Sequence, residues 1–176
     1  PAYWRSSIEI AKSWERALDE APTPKTRKVA LRSAVVMSPT KGGAFRILYG
    51  MAKLGLGGAI GGGRQYVSWI HEDDFVGAVK TILEREEFSG AINLAAPNPL
   101  PQRDFMKALR SAGGIPLGLP ATTWMAGIGA FFLRTDTELL LKSRRVVPAR
   151  LLAAGFAFRF PEWASAARDL LVRSAA

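Results

Sequence analysis

The run GLGGAIGGGRQYVSWIHEDD, residues 55–74, decides how this chain is read. Gly55, Gly57, Gly58, Gly61, Gly62 and Gly63 free the backbone for positive φ and for close approach by other groups, which suits a loop shaped around something. Gln65 to His71 then turns aromatic and β-branched, as a strand should. Asp73 or Asp74 is placed to accept hydrogen bonds from the first N–H groups of a helix, which Phe75, Val76, Val79, Ile82 and Leu83 outline at 3–4 spacing. Loop, strand and capped helix form one supersecondary unit with polar groups at a strand end. The loop itself matches neither common phosphate-binding pattern. In Gly55-Leu56-Gly57-Gly58-Ala59-Ile60 an isoleucine stands where a dinucleotide fingerprint needs its third glycine, and no Gly-Lys-Ser/Thr occurs.

Upstream of this unit, residues 6–20 read as a helix with Ile10, Trp14, Ala17 and Leu18 on one face and Glu9 at capping-box spacing from Ser6. Pro22 and Pro24 end it. Lys28 to Met37, KVALRSAVVM, is the strongest strand, a run suited to burial on both faces of a parallel sheet. Ala44 to Leu54 reads as a short helix. Downstream, the helix from Asp74 ends near Glu87, Ala91 to Ala95 is a second buried strand, and Pro97, Pro99 and Pro101 enforce an extended connection. Arg103 to Ala112 is helical. Gly113, Gly114, Pro116, Gly118 and Pro120 form a linker-like passage, followed by helices near 122–133, 135–143, 149–154 and 161–173. Phe156, Phe158 and Phe160 alternate with Ala157 and Arg159, which implies a short extended piece burying aromatics on one face. The pattern is α/β over residues 1–112 and mostly helical over 113–176.

The 176 residues are enough for one domain with a sizeable core, or one plus a small appendage. The 48% apolar and 22% charged content is that of an ordinary globular chain. Zero cysteines exclude disulfides, thiol nucleophiles and thiolate metal sites, and a single histidine excludes a multi-histidine metal site; metal catalysis would have to rest on carboxylates, and no residue is assigned to a metal site. The net charge of +9 is spread along the chain, with one cluster at Lys142-Ser143-Arg144-Arg145 and Arg150. No nucleic-acid motif accompanies it, and an anionic small substrate, or a fragment of a protein more balanced in charge, accounts for it as well. Trp124 to Leu133 is too short to cross a bilayer and no signal-peptide pattern opens the chain, so a cytoplasmic location without membrane contact is expected. The first residue is proline, which suggests that the beginning is missing.

Candidate chemistry is sparse. His71, beside Glu72, Asp73 and Asp74, is either a general acid–base or a histidine bonding backbone at a strand end. Arg32 and Arg64 suit bidentate pairing with an anion, or a structural ion pair. Ser33 and Ser38 flank a strand end, the usual ligand position in open α/β sheets. Tyr3 and Lys12 do not form a proton relay. The residue four after Tyr3 is Ser7, and the residue four before Lys12 is Ile8. Trp4, Trp14, Trp69, Trp124 and Trp163 read as packing.

The order of four segments resembles a known family. Leu31-Arg32-Ser33-Ala34-Val35-Val36-Met37-Ser38-Pro39, then GLGGAIGGGRQYVSWIHEDD, then Asn93-Leu94-Ala95-Ala96-Pro97-Asn98-Pro99, then RVVPARLLAAGFAFRFP from Arg145 to Pro161, are similar to the C-terminal part of NAD-dependent epimerase/dehydratase-like proteins of the extended short-chain dehydrogenase/reductase superfamily. Within it, the "epimerase family protein" subgroup ending in a C-terminal domain of unknown function fits best. The resemblance implies the last strands of a Rossmann-like doubly wound sheet over 1–112 and a small helical domain over 113–176. It implies NAD or NADP in the full-length protein and none bound to this chain alone. Ser33, Ala34, Val35 and Ser38 would lie near the nicotinamide, and Arg64, Gln65, Trp69 and His71 would line the pocket of a small carbonyl, hydroxyl or sugar-like substrate. The family's tyrosine–lysine pair has no counterpart in the helix at 6–20, and Val67 stands where nucleotide-sugar epimerases carry an arginine. The alternative is a non-catalytic cofactor- or ligand-binding module on the same scaffold. Because the sheet is small, its edges are expected to pair with another copy or with swapped segments.

Overall fold

The computed structural model describes residues 2–120 and 143–175, with side chains from residue 7 onward. In chain order the elements are α1 (Ala2–Glu20), β1 (Val29–Ser33), β2 (Val35–Met37), α2 (Ala44–Lys53), β3 (Tyr66–Val67), β4 (Trp69–His71) and α3 (Glu72–Glu84). Then follow β5 (Gly90–Leu94), β6 (Leu100–Pro101), α4 (Gln102–Ala112), α5 (Ala149–Ala153) and α6 (Trp163–Ala175). The expected helices at 122–133 and 135–143 lie, apart from Ser143, outside the described residues.

The run expected as one strand over 28–37 is two, because its neighbour changes partway. β1 runs parallel to β5, with Val29 opposite Gly90 and Ser33 opposite Leu94. Ala34 still donates its N–H to Leu94 O at 2.8 Å. Beyond it β2 runs parallel to β4, Val35 opposite Trp69 and Met37 opposite His71. Trp69 O in turn accepts Ala96 N–H at 2.7 Å, so β4 enters the sheet where the chain after β5 leaves it. The strand-like run 65–71 is likewise divided. β3 pairs antiparallel with β6 while β4 takes β2, and buried Ser68 stands between them. Segment 143–146 is stitched alongside: Ser143 Oγ accepts Tyr66 N–H, Tyr66 O accepts Arg144 N–H, and Ser68 Oγ accepts Val146 N–H and donates to Arg144 O.

Strand β4 is buried along its whole length, covered on both faces. Successive β4 residues point to opposite sides. Trp69 joins a cluster with Met37, Phe45, Phe105, Leu109, Phe160, Trp163 and Leu170, while Ile70 joins Ala78, Ile82, Phe88, Ile92, Leu94 and Leu151. Trp163 is the hub of the first cluster. Its ring stacks on Phe105 at 4.0 Å, meets Trp69 edge-on at 5.0 Å, and its Nε1–H donates to Phe105 O. Helix α6 therefore shares a core with α2, α4 and the sheet. Phe156 and Phe158, half-buried and edge-to-face at 4.8 Å, pack on the second cluster, and Phe160 on the first.

Three local expectations are corrected. Helix α1 begins at Ala2, so Ser6 sits a turn inside it and does not cap it. Its apolar face is uncovered: Trp14, read as packing, is 73% exposed. Helix α3 begins at Glu72, which moves its cap from the aspartates to His71. No helix among the described residues is long and apolar enough to cross a membrane.

Two glycines behave oppositely. A Cβ on Gly58 would stand 2.2 Å from Leu119 O, a backbone atom that cannot step aside, whereas one on Gly77, inside α3, would meet only Phe156 at 3.5 Å. Gly58→Ala should destabilise the chain by about 1–3 kcal/mol through overpacking. Gly77→Ala should be neutral or stabilising by up to about 1 kcal/mol through helix propensity. Urea midpoints of the two variants decide it, and equal shifts would contradict this account.

Candidate functional site

The carboxyl ends of β1, β2, β4 and β5 face one way, because all four strands run parallel. Ser33 is exposed and donates Oγ–H to Ala34 O at 2.7 Å. Ala34 and Val35 are half-buried. Past β2, Ser38 Oγ lies 2.8 Å from Thr40 Oγ1 and accepts Thr40 N–H, forming a tight turn into Gly42 and Gly43. Gly43 precedes α2, whose first turn has neither an acidic residue nor a side-chain cap. Small, uncharged groups thus line this strand end.

The other four expected site residues separate into two pairs. Arg64 is exposed at the exit of the glycine loop, and Gln65 is half-buried with Nε2–H donating to Ile60 O. Trp69 and His71 have no exposed surface at all. Trp69 packs on Trp163, and its buried indole N–H meets no acceptor among the described residues. Arg32 is bound to Glu15 by two 2.7 Å hydrogen bonds, the ion-pair alternative for that residue.

His71 is held on every side. Its ring stacks on Phe160 at 4.0 Å, Nδ1 accepts Asp73 N–H at 3.1 Å as the cap of α3, and Nε2 lies 3.1 Å from Asp169 Oδ2. Since Nδ1 accepts, the proton resides on Nε2 and points at Asp169. Burial pushes the imidazole below its ordinary pKa, outweighing the pull of Asp73 and Asp169 toward the charged form. Around it, Asp74 accepts Arg159 N–H at 2.7 Å and Phe160 N–H at 2.9 Å through its two oxygens. Asp73 takes Arg173 at 2.6 Å and Arg159 at 3.0 Å, and hydrogen bonding to Arg173 holds its carboxyl below the usual range. Asp169 is bonded to Arg173 at 2.7 Å. This cluster ties the β4–α3 junction to α6.

The glycine loop is shaped around the chain's own side chains. Gln102, buried at the start of α4, accepts Ile60 N–H and donates to Gly58 O, each at 3.1 Å. Arg110 donates to Gly57 O, and Gly55 O accepts Leu119 N–H. Gln102, Asp169 and Arg173 were not singled out by the sequence reading. Gln102 carries a faint signal, a polar residue following a proline-rich extended stretch. Asp169 and Arg173 carry none beyond i,i+4 spacing.

The titrations give separable expectations. The unfolded chain takes a proton on His71 near its ordinary pKa of 6.5 while the folded chain resists it, so stability falls as pH drops below that value. Asp73, lowered in the fold, adds stability that is lost only as pH falls below its ordinary 3.8. His71→Gln should therefore abolish the upper step, whose slope is at most about 1.4 kcal/mol per pH unit, and leave the lower one. Urea midpoints between pH 3 and 8 show whether the steps separate. Asp74→Asn replaces one acceptor by a donor facing a backbone N–H and should cost about 2–3 kcal/mol at neutral pH. A loss near zero would contradict the geometry.

Comparison with known proteins follows the same outline. Residues 124–170 match the family model described as domain of unknown function DUF1731. The chain is 36% identical over 163 residues to the epimerase family protein SDR39U1 of Bos taurus, covering 92% of this chain and 54% of that one. The crystal structure of human epimerase family protein SDR39U1 (isoform 2) with NADPH superposes with a TM-score of 0.80 at 33% identity, over 92% of this chain and 54% of that one. A nucleoside-diphosphate sugar epimerase from Corynebacterium glutamicum gives 0.66 at 28% identity, over 92% and 30%. The shared fold is the Rossmann-like α/β one. This chain spans about half the length of the curated relatives it matches, and over that span it is similar to the epimerase family proteins.

Proposed function

We propose that this chain forms the substrate-facing part of an NAD(P)-dependent epimerase/dehydratase or oxidoreductase acting on a small carbonyl, hydroxyl or sugar-like substrate. The observation carrying the proposal is the parallel β1–β5 and β2–β4 pairing, with Ser33 and Ala34 at the carboxyl end of β1, Ser38 just past that of β2, and Val35 opening β2 between them. That is where open α/β sheets bind ligands. The likeness to a relative solved with NADPH supports it.

The residues present fit one end of a dinucleotide and not the other. Small groups at 33–38 leave room for a flat, uncharged ring, and the hydroxyls of Ser33 and Ser38 can hydrogen-bond a carboxamide. A pyrophosphate finds no grip at α3. Glu72, Asp73 and Asp74 fill its first turn, and His71 already takes an N–H there. When bound, the nicotinamide supplies or accepts a hydride. This chain's own residues orient the substrate beside it. Arg64 and Gln65 are proposed to contact substrate, with exposed Arg64 presenting a guanidinium to an anionic group. Trp69 and His71, fully enclosed, act through the strand they hold in place. The segment 113–176 is proposed as a C-terminal module docked on 1–112 through the shared Trp163 core.

One sequence observation favours the second reading, a non-catalytic ligand-binding module. No tyrosine–lysine pair at four-residue spacing occurs in α1, where Ser7 follows Tyr3. In either case the 176-residue chain should bind neither NADPH nor NADH by itself. Titration calorimetry checks this, and a dissociation constant of about 1 μM or tighter would overturn the proposal that the cofactor is held chiefly by another part.

A further inference from the structure

The C-terminal ends of α4 and α6 meet the side of α2 around an open cavity of about 480 Å³, which shares no residue with the strand-end positions. Arg46, Tyr49 and Lys53 of α2 form one wall, and Gly113, Leu171 and Ser174 belong to the others. Spacings of three, four and seven residues put the three α2 side chains on one helical face. Helix α2 contains no acid, and no carboxylate lines the cavity among the described residues.

Each of the three side chains is set by a contact that leaves polar capacity over. Half-buried Arg46 donates through Nη1 to Ser174 O at 2.9 Å, which anchors the guanidinium and leaves its other N–H groups without a partner among the described residues. Exposed Lys53 leans back along the helix over the Tyr49 ring, its Nζ 5.8 Å from the centroid, so the ammonium turns toward Arg46. The Tyr49 ring lies nearly parallel to Phe45 at 6.2 Å and closes on Gly113, where a Cβ would stand 2.7 Å from Tyr49 Cε2. Gly113 has φ −90°, which any residue adopts, and it is Gly114, at φ +65°, that makes the turn. Gly113 thus lacks a side chain to admit the tyrosine and not to bend the chain. The Tyr49 hydroxyl has no hydrogen-bond partner among the described residues.

A fixed guanidinium, an ammonium turned toward it and a phenol, with no acid among them, make a site for an anion. Three donors of this kind match the three oxygens of a phosphoryl group better than the two of a carboxylate. Capping α6 accounts for Arg46 alone, since it requires neither Lys53 over the ring nor the bare backbone of Gly113. The volume far exceeds a lone oxyanion and lies in the range of small-molecule sites, and Leu171 with the Tyr49 ring gives the remainder an apolar floor. We infer that the α2–α4–α6 cavity binds a small phosphomonoester, its phosphoryl group held between Arg46 and Lys53 and its apolar body lying against Tyr49 and Leu171. The formal charge of +9 draws such a ligand from a distance, and these side chains give it an address. The inference stands apart from the reading of residues 33–38.

The test titrates phenyl phosphate into the 176-residue chain, read by calorimetry and by the amide resonances of Gly113 and Ser174. One site with a dissociation constant of about 1 mM or tighter is expected, and both amides should shift. Inorganic phosphate should bind at least about fivefold more weakly for want of the apolar contact. Lys53→Met should weaken phenyl phosphate about tenfold. Since Lys53 is exposed, that variant keeps its fold, which circular dichroism verifies. Gly113→Ala sets a methyl group against the Tyr49 ring and should weaken binding with no change of charge. Absence of binding, equal affinity for phosphate and phenyl phosphate, or an affinity unchanged in Lys53→Met would each overturn the inference. The last result would mean that the anion answers only to the overall charge of the chain.

Discussion

The buried carboxylate of Asp74 is the constraint on which the remainder of the molecule turns. It is 3% exposed and its two oxygens accept the N–H groups of Arg159 and Phe160. Hydrogen bonds to a charged acceptor contribute about 1.5–3 kcal/mol each, and an unsatisfied buried charge would be far more costly. Fixing 159–160 sets Phe160 against His71 and delivers Trp163 to the Phe105–Trp69 stack. By comparison the ion pairs of Asp73 with Arg159 and Arg173 are partly solvated, and pairs of that kind contribute little individually. The three acids at the start of α3 are also favourably placed toward the helix dipole, which makes an acidic strand–helix junction a structural device first.

The glycine loop illustrates how one sequence signal serves two readings. Its backbone freedom was legible, and so was the presence of a partner at its centre. The partner's identity was not, since Gln102 lies 42 residues from Ile60 along the chain. Gly58 lets the 118–119 backbone pass within contact distance, and Gly63 lets Arg103 do so. A loop built on such contacts is a rigid wall, and that is the property needed of the surface from which Arg64 projects.

Elements with strong local patterns were read within a few residues from the sequence. The helices at 44–53, 72–84 and 102–112 and the strand at 90–94 have apolar spacing that survives without tertiary context. What escaped depended on neighbours. In KVALRSAVVM the polar Arg32 and Ser33 break the apolar run just before Ala34, but they do not say that β5 gives way there to β4. The apolar face of α1 was correctly drawn, yet periodicity says only that a helix wants cover, not that the cover lies within the same chain. His71 was read as either a chemical group or a backbone-bonding one. Its position at a strand end was visible, and the ring of Phe160 and carboxylate of Asp169 that enclose it were not, being 89 and 98 residues away.

Those long separations carry a consequence for the order in which the molecule assembles on the ribosome. Asp74 meets residues 85 and 86 positions later, and Asp73 meets Arg173 across 100 positions. Until α6 has emerged, the acids at the start of α3 remain hydrated and mutually repulsive, and the indole of Trp69 has no companion ring. Closure of such distant contacts is slow compared with helix formation. The nascent chain therefore passes through an interval in which its first helices exist and its aromatic centre is bare, the stage at which a chaperone would find most to hold.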